Sequence, residues 1–283
     1  MAQINPKASV IIAVYKDIEA LHCILLALTR QTEKSFEVIV TEDGQDPLIA
    51  NYIAVLAPKD LTLKHLSHED KGFRKTLAAN RAIASATSNY LIFLDGDCIP
   101  HSRFVAMHLA HAEPNRVCTA RRVHLGPKES AKIRRCPDLT QKLENRLVLF
   151  LRIIPLYRDG IRNYEIGFHY SLLHKLAKYR RLSIVGCNFS CYKTDMEKIN
   201  GYDEDLPGIG GEDGDLEWRF NGLGMYTKNI KFQAVVYHLY HDSRRQDAEV
   251  NVAISRRNQK KGVYRCLNGI IKEPLCEKSF LSK

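Results

Sequence analysis

Short apolar segments alternate with amphipathic ones along the first hundred residues. The apolar run from Ser9 to Tyr15 predicts a strand that is buried on both faces. After Asp17, apolar residues recur at spacings of three and four, which predicts a helix, and a second helix is predicted over 72–86. Further strands are predicted at 36–40, 61–66 and 90–94. This alternation predicts an α/β fold with a doubly wound, mostly parallel sheet.

The middle of the chain has a different pattern. Apolar residues from Leu139 to Ile154, and again over 170–181, recur at helical spacing, so residues 121–182 are predicted to form a helical insertion. Strand-like sequence returns over 183–192 and 232–237, with a short helix between them that Thr194 is expected to cap. We therefore expect one α/β domain over 1–243, in which 1–120 and 183–243 flank the insertion, and a weakly patterned basic tail over 244–283.

The charge of the chain is concentrated in the insertion. The 283 residues include 42 Lys and Arg against 32 Asp and Glu, a formal net charge of +10, and 45% are hydrophobic. That composition excludes intrinsic disorder and a disulfide-stabilised miniprotein. Residues 121–182 carry 15 basic and 5 acidic side chains, whereas residues 183–243 carry 5 and 10. A local basic region predicts contact with an anionic membrane surface or an anionic acceptor, although a solvated helical face would have the same composition.

Membrane insertion and zinc binding are not expected. No apolar run approaches the ~20 residues that span a bilayer, and residues 1–7 lack a signal-peptide core, so we expect a cytoplasmic protein with reduced thiols that could also lie peripherally on the inner face of the membrane. The zinc candidates are Cys187, Cys191, His238 and His241. In a strand the two cysteine Cα atoms would lie ~13 Å apart, too far to share one tetrahedral ion.

Two carboxylates follow the predicted strand at 90–94. Asp95 and Asp97, separated by Gly96, fall where the ligands of a doubly wound sheet bind, at the carboxyl end of a strand. They could hold Mg²⁺ or Mn²⁺ on a diphosphate, although a solvated turn has the same composition. His238 and His241 end another predicted strand, and either could complete the coordination that Asp97 begins.

A second acidic pair begins a predicted helix. Glu212 and Asp213 follow the Gly-rich stretch 207–211. Acidic residues in a first helical turn are often ordinary helix capping. Alternatively, one of them could act as a general base that takes the proton of an attacking hydroxyl.

The order of these motifs resembles the family 2 inverting glycosyltransferases with the GT-A fold, over roughly residues 7–243. The resemblance implies that Tyr15 lies near the nucleotide base and that Asp43, in Thr41-Glu-Asp-Gly, reads uracil. It also implies that Arg74 lines the nucleotide pocket and that Asp95-Gly96-Asp97 is the metal-binding DXD motif. Glu42 departs from the usual Asp of the second motif.

The sequence Gly210-Gly-Glu-Asp213 resembles a block shared with β-1,4-galactosyltransferases and chondroitin-type polymerases. The resemblance implies that Asp213 is the general base and that Glu212 supports the acceptor or donor sugar. Residues 1–120 would then be the nucleotide-sugar-binding half and residues 183–243 the acceptor and catalytic half.

These observations predict a metal-dependent inverting glycosyltransferase. It would move a sugar from a nucleotide donor, UDP-linked by the resemblance, to a hydroxyl of a glycan or glycolipid in bacterial surface polysaccharide or lipopolysaccharide synthesis. A nucleotidyltransferase is one alternative, but such an enzyme is expected to have a Gly-rich loop directly after the first strand. A basic, aromatic-bearing nucleic-acid-binding module is the other, but it has no need of the four carboxylates, so no nucleic acid partner is expected.

Overall fold

Ten strands form two sheets in this computed structural model, which describes residues 5–169, 171–207, 209–242 and 248–272. The strands are β1 (Ala8–Val14), β2 (Phe36–Glu42), β3 (Thr62–Ser67), β4 (Tyr90–Asp95), β5 (Cys98–Pro100), β6 (Arg116–Thr119), β7 (Arg122–His124), β8 (Phe189–Tyr192), β9 (Tyr226–Asn229) and β10 (Val236–His238). The larger sheet has the order β3-β2-β1-β4-β8-β6-β9, and the smaller has the order β5-β10-β7.

The larger sheet is mostly parallel, as the sequence predicts. Strands β1 to β4 pair in parallel, whereas β8 is antiparallel to both β4 and β6. Alternate residues of β1 enter two separate cores: Val10 and Ile12 pack on one face of the sheet and Ile11 on the other. Burial on both faces explains why this strand reads as a continuous apolar run.

The α-helices of the described residues cover both faces of the sheet. They are α1 (Ile18–Thr29), α2 (Pro47–Asn51), α3 (Lys75–Ser85), α4 (Phe104–Ala110), α5 (Pro127–Arg135), α6 (Leu139–Glu144), α7 (Arg146–Leu151), α8 (Ile153–Arg158), α9 (Ser171–Ala177), α10 (Lys193–Lys198), α11 (Glu212–Gly222) and α12 (Ala248–Lys260). Helix α1 begins as predicted, because the Asp17 side chain accepts a hydrogen bond from the Ala20 amide. None of the helices in the described ranges is both long and apolar enough to cross a bilayer.

The segment 121–182 is more than a helical insertion. It begins with β7, which belongs to the smaller sheet, and it contains α5, which the apolar pattern did not indicate. The apolar stripe from Leu139 to Ile154 forms three short helices instead of one. The second break is at Arg152, whereas Pro155 lies inside α8.

Several predicted boundaries are wrong for local reasons. The strand expected over 183–192 is confined to β8, because the amides of Ile184 and Gly186 donate to side chains of α11 instead of to a neighbouring strand. The strand expected over 232–237 is likewise shorter than predicted, because only β10, which begins at Val236, forms there. Phe232 has a left-handed backbone conformation with φ 70° and lies outside the strand. Thr194 lies inside α10, whose N-cap is Tyr192.

Two further differences concern chain segments near the predicted motifs. Helix α3 starts at Lys75 instead of residue 72, because residues 72–74 form the turn that leads into it. The tail contains α12, which packs against α11: Ser255 Oγ donates to Asp215 Oδ1 at 3.1 Å. Residues 243–247 and 273–283, which the prediction of a basic tail includes, lie outside the described residues.

Candidate active site

The carboxyl ends of four adjacent parallel strands bring the predicted nucleotide-binding residues to one edge of the sheet. Tyr15 follows β1, Asp43 follows β2, His68 follows β3, and Asp95 ends β4. Polar side chains lie at these strand ends because the side chains within the strands are buried in the core. Tyr15, Asp43 and Asp95 therefore lie along one edge of the sheet.

Gly96 allows the chain to turn tightly after β4. Its amide donates to Ala13 O at 2.8 Å, and a Cβ at this position would lie 2.7 Å from the same oxygen. No side chain larger than hydrogen fits against β1 without a backbone shift. The close approach fixes the positions of Asp95 and Asp97 on either side of the glycine.

Asp97 lies beside both predicted histidine ligands. Its Oδ2 is 3.1 Å from His241 Nε2 and 3.5 Å from His238 Nε2. The smaller sheet causes this convergence, because His238 pairs with Cys98 across β10 and β5 and the Leu239 amide donates to Asp97 O at 2.9 Å. Within the described residues, Asp97, Cys98 and His238 form the cluster whose possible ligand atoms all lie within 4.8 Å of one another.

The protonation states around Asp97 suit a divalent cation. Burial tends to raise the pKa of Asp97, but the hydrogen bond from His241 and the electrostatic interaction with His238 hold it well below its usual range. Burial lowers the pKa of His238, so this imidazole is favoured in its neutral form near neutral pH. An ionised carboxylate and a neutral imidazole are the forms that coordinate a metal, so the donor set fits one.

The two cysteines among the zinc candidates, in contrast, are not brought together. Cys187 packs in the core on one face of the larger sheet and Cys191 in the core on the other. The two thiols therefore lie on opposite sides of the larger sheet.

Glu212 and Asp213 occupy the first turn of α11. Asp213 Oδ2 accepts a hydrogen bond from the Gly186 amide at 2.8 Å. Its Oδ1 and Glu212 Oε2 are buried and have no hydrogen-bond partner among the residues that the structure describes. Unpartnered buried carboxylate oxygens are costly, and they are able to accept a proton or a hydrogen bond from a bound hydroxyl.

The environment of Asp213 favours a proton acceptor that works near neutral pH. Burial, with the charges of Glu212 and Asp95, raises the pKa of Asp213 to about 6, although Lys75 opposes the increase. A base is most effective when its pKa is close to the working pH.

Lys75 connects the two acidic clusters, and the sequence prediction did not include it. Its Nζ lies 2.6 Å from Asp95 Oδ1. Burial tends to lower the pKa of Lys75, but Asp95, Glu212 and Asp213 raise it well above its usual value. The protonated amine therefore lies between the end of β4 and the start of α11. The pattern Lys71-Gly-Phe-Arg-Lys75 contains it, but only the fold shows which of its basic residues faces the carboxylates.

Arg74 contacts the predicted site residue Asp43 through its backbone, and its predicted place in the nucleotide pocket stays a prediction. Its backbone amide donates to Asp43 Oδ2 at 2.6 Å, while its guanidinium donates to Glu69 O. His68 Nε2 lies 3.0 Å from the other oxygen of Asp43. Together, these contacts fix the orientation of the Asp43 carboxylate. His68 is a second residue that sequence reasoning missed, because no motif marks it.

Tyr15 and Glu42 complete this side of the edge. Tyr15 is 40% exposed, and its hydroxyl donates to Asp70 Oδ2 at 3.2 Å. Glu42 is buried, with Oε2 2.9 Å from His65 Nε2 and Oε1 accepting from the Asp46 amide. Glu42, which stands where the family usually has Asp, therefore stabilises the loop after β2 through these hydrogen bonds.

The fold and this edge define an α/β protein of the GT-A type, and sequence-family models identify it further. The description "Glycosyl transferase family 2" matches residues 9–175, more than half of the chain. A second model, described as "N-terminal domain of galactosyltransferase", matches residues 167–242. The chain belongs to glycosyl transferase family 2, which confirms the predicted family.

Curated relatives have glycosyltransferase names. Validoxylamine A glucosyltransferase of Streptomyces hygroscopicus subsp. jinggangensis is 27% identical over 239 residues, which cover 78% of this chain and 52% of that protein. Chondroitin synthase of Escherichia coli is 24% identical over 241 residues, which cover 81% of this chain and 34% of that protein. The chain thus spans about half the length of the first relative and a third of the second.

Solved structures confirm the predicted fold. The mannosyltransferase PcManGT from Pyrobaculum calidifontis, in complex with GDP-Man and Mn²⁺, has a TM-score of 0.59 at 16% identity, covering 90% of this chain and 65% of that one. GalNAc-T7, with UDP, GalNAc and Mn²⁺, has a TM-score of 0.62 at 12% identity, covering 90% and 48%. At these identities the similarity establishes the architecture.

Proposed function

We propose that this chain is a metal-dependent inverting glycosyltransferase that uses a nucleotide-sugar donor. The observation that carries the proposal is a site with two chemically distinct ends. One end has Asp97 with His238 and His241, and the other has Asp213 with an unpartnered oxygen. Lys75 and Asp95 lie between them. Family membership supports the same chemistry.

The nucleoside would bind at the ends of β1 and β2. Tyr15 offers a partly exposed ring, and Asp43 keeps acceptor capacity on a carboxylate that His68 and the Arg74 amide hold in place. Such an acceptor suits the ring N–H of a base, and we propose uridine. GalNAc-T7 was solved with UDP and PcManGT with GDP-Man, so both nucleotide classes belong in the test.

The metal would be held by Asp97 together with His238, His241 or both. Mn²⁺ suits imidazole donors better than Mg²⁺, which prefers oxygen ligands. When bound, the cation supplies positive charge that stabilises the departing nucleoside diphosphate. Asp95 would not be a free ligand, because Lys75 already engages it.

Asp213 would accept the proton of the acceptor hydroxyl. The hydroxyl oxygen then forms a bond to the anomeric carbon, the bond from that carbon to the diphosphate oxygen breaks, and the nucleoside diphosphate leaves with the electron pair. Attack from the face opposite the leaving group inverts the configuration. Glu212, whose Oε2 is unpartnered, would accept a hydrogen bond from a sugar hydroxyl. No covalent enzyme intermediate is required.

The contacts at the start of α1 argue against the nucleotidyltransferase alternative. The Asp17 carboxylate caps this helix and forms a bidentate pair with Arg134, with distances of 2.6 and 2.8 Å. A phosphate cradle would need free backbone amides at this position. The N-terminus of α1 instead holds a negatively charged side chain, which would repel a phosphate.

The acceptor we propose is a hydroxyl of a glycan or glycolipid, in bacterial surface polysaccharide or lipopolysaccharide synthesis. The name of the relative chondroitin synthase supports a glycan acceptor. The match of residues 167–242 to a galactosyltransferase model supports an acceptor side built around α11. We place the reaction in the cytoplasm.

A thermal-shift panel of UDP-, GDP- and CMP-sugars, each with and without Mn²⁺, tests the donor and the metal together. A ligand that binds only the folded state raises the melting temperature by mass action. We expect the largest increase with a UDP-sugar, and we expect that increase to require the cation. No shift with any nucleotide sugar would contradict the proposed function, and a preference for GDP-sugars would contradict the assignment of uridine.

A further inference from the structure

The helices of the segment 139–181 expose an unusual number of large apolar side chains. Eleven such side chains in the described chain are more than 60% exposed, and eight of them lie between residues 147 and 179. We call this set, with the basic residues among it, the amphipathic surface. Its apolar members are Leu147, Phe150, Leu151, Ile154, Tyr157, Leu172, Leu176 and Tyr179.

The amphipathic surface belongs to helices that are anchored in the protein. Leu149 of α7 and Leu156 of α8 are 1% and 2% exposed and pack in the core on one face of the sheet. Arg146, at the start of α7, donates to His169 O at 2.8 Å, which ties α7 to the residues just before α9. The exposed apolar side chains therefore lie on the outer face of packed helices, because the inner face already fills the core.

Positive charge accompanies these apolar side chains. Arg158, Lys175, Lys178 and Arg180 are exposed and form no salt bridge within the described residues. Lys178 Nζ lies 4.8 Å from the centre of the Tyr179 ring, so a cation and an amphipathic aromatic ring are presented together.

The acidic side chains of the same segment are used elsewhere. The Asp159 carboxylate accepts hydrogen bonds from the amides of Lys128 and Glu129. The Glu144 carboxylate accepts from the amide and the hydroxyl of Ser102, and Glu165 Oε1 lies 3.4 Å from Lys231 Nζ. A partner for the amphipathic surface must therefore be anionic and must also bury apolar side chains. An anionic phospholipid bilayer meets both requirements, because apolar side chains enter the boundary between headgroups and acyl chains while Lys and Arg contact the headgroups.

We propose that the amphipathic surface docks the protein on the face of an anionic phospholipid bilayer. The surface has a direct structural connection to the candidate active site. Strand β7 leads into this segment and pairs with β10, so that His124 lies opposite His238. Docking would therefore hold the site at a fixed position relative to the bilayer. Vesicle binding needs neither donor nor acceptor, so the inference can fail while the proposed function stands.

Co-sedimentation of the full chain with vesicles tests the proposal. Vesicles of phosphatidylcholine alone are compared with vesicles that also contain phosphatidylglycerol, at low and at high salt. We expect binding to the anionic vesicles at low salt, weaker binding at high salt, and little binding to the neutral vesicles, because screening removes the electrostatic part.

Two double variants separate the apolar and the basic contributions. Phe150→Ser with Leu151→Ser removes apolar area, and Lys175→Gln with Lys178→Gln removes charge. Each is expected to weaken vesicle binding on the order of tenfold or more. The matched controls are Leu48→Ser with Leu56→Ser, two equally exposed apolar residues near α2, and Lys260→Gln with Lys261→Gln, two exposed basic residues at the end of α12.

Three outcomes would overturn the inference. The first is no binding to anionic vesicles at low salt. The second is a loss of binding in the controls equal to that in the test variants. The third, measured by light scattering, is self-association that Phe150→Ser with Leu151→Ser abolishes, without vesicle binding, since a second copy of the chain would then cover the surface. Circular dichroism melting of each variant confirms that it is folded.

Discussion

Asp97 and Asp213 are the same kind of side chain at two ends of one site, and their surroundings give them opposite properties. Two histidines lie beside Asp97 and hold its pKa well below the usual range despite burial. Asp213 instead lies beside Glu212 and Asp95, and burial raises its pKa to about 6. One carboxylate remains ionised to attract a cation, whereas the other can take up a proton. The different surroundings of the two aspartates therefore account for their different proposed roles, cation binding and proton acceptance.

The largest effect is expected from Asp97→Asn. An amide in place of the carboxylate removes the charge that would hold the cation, and loss of several kcal/mol of charge stabilisation corresponds to a decrease in kcat of about 10⁴-fold. Transfer assays with and without Mn²⁺ measure it. We also expect the Mn²⁺-dependent part of the thermal shift to disappear, while Asp60→Asn at an exposed position changes neither. Unchanged Mn²⁺-dependent activity would contradict the metal assignment.

Asp213→Asn should have a somewhat smaller effect on transfer, about 10³-fold in kcat, which is typical for loss of a general base. Because Asp213 lies at the other end of the site from Asp97, donor affinity should be preserved. Calorimetry with the nucleotide sugar and Mn²⁺ measures that affinity. A large loss of donor affinity would show instead that Asp213 binds the donor.

Lys75→Met tests the connection between the two ends. The base acts in its ionised form, so kcat/KM should rise with pH through about 6 and fall about tenfold per unit below it. Lys75 lowers the pKa of Asp213, and its removal should move this acidic limb to higher pH, with an additional loss of about tenfold near neutral pH. Lys75→Arg should preserve the limb. An unshifted limb in Lys75→Met would contradict this role.

Gly186→Ala should have the smallest effect on catalysis and a measurable effect on stability. The new Cβ would lie 2.7 Å from Asp213 Oδ1, so the Asp213 carboxylate or the backbone must shift, which would weaken the hydrogen bond to Oδ2. We expect a loss of about 1–3 kcal/mol in the free energy of unfolding, as for other overpacked positions. Gly214→Ala is the matched control, because that helical glycine has open space around its Cβ position and alanine should stabilise it. Denaturant melts compare the two.

Much of the fold could be predicted from the sequence, because the first four strands and α1 have strong patterns of their own. The boundaries failed where tertiary contacts replace local preference. The amides of Ile184 and Gly186 leave the strand pattern because α11 offers carboxylate acceptors. The Leu139–Ile154 stripe divides into three helices, although its apolar spacing would suit one.

For the candidate site, the sequence predicted which types of residue take part and their order along the chain, but not their contacts. The DXD motif, Glu212-Asp213 and the two histidines have recognisable spacing, and the parallel sheet implies that strand ends meet. Lys75 and His68 have no such signal, because their importance depends on which carboxylate each one faces. The sequence prediction named Arg74 and not Lys75, whereas both residues contact site carboxylates in the structure. The Arg74 amide donates to Asp43, and the Lys75 amine donates to Asp95.

The sequence by itself determined the family, the mostly parallel α/β sheet and the carboxylates and histidines placed at its strand ends. Their chemistry was decided only by the tertiary structure. Pairing of β5 with β10 brings His238 and His241 to Asp97. At the start of α3, Lys75 Nζ lies 2.6 Å from Asp95 Oδ1 and also feels the charges of Glu212 and Asp213. The physical reason is that a pKa depends on burial and on charges a few ångströms away, and those distances exist only after folding.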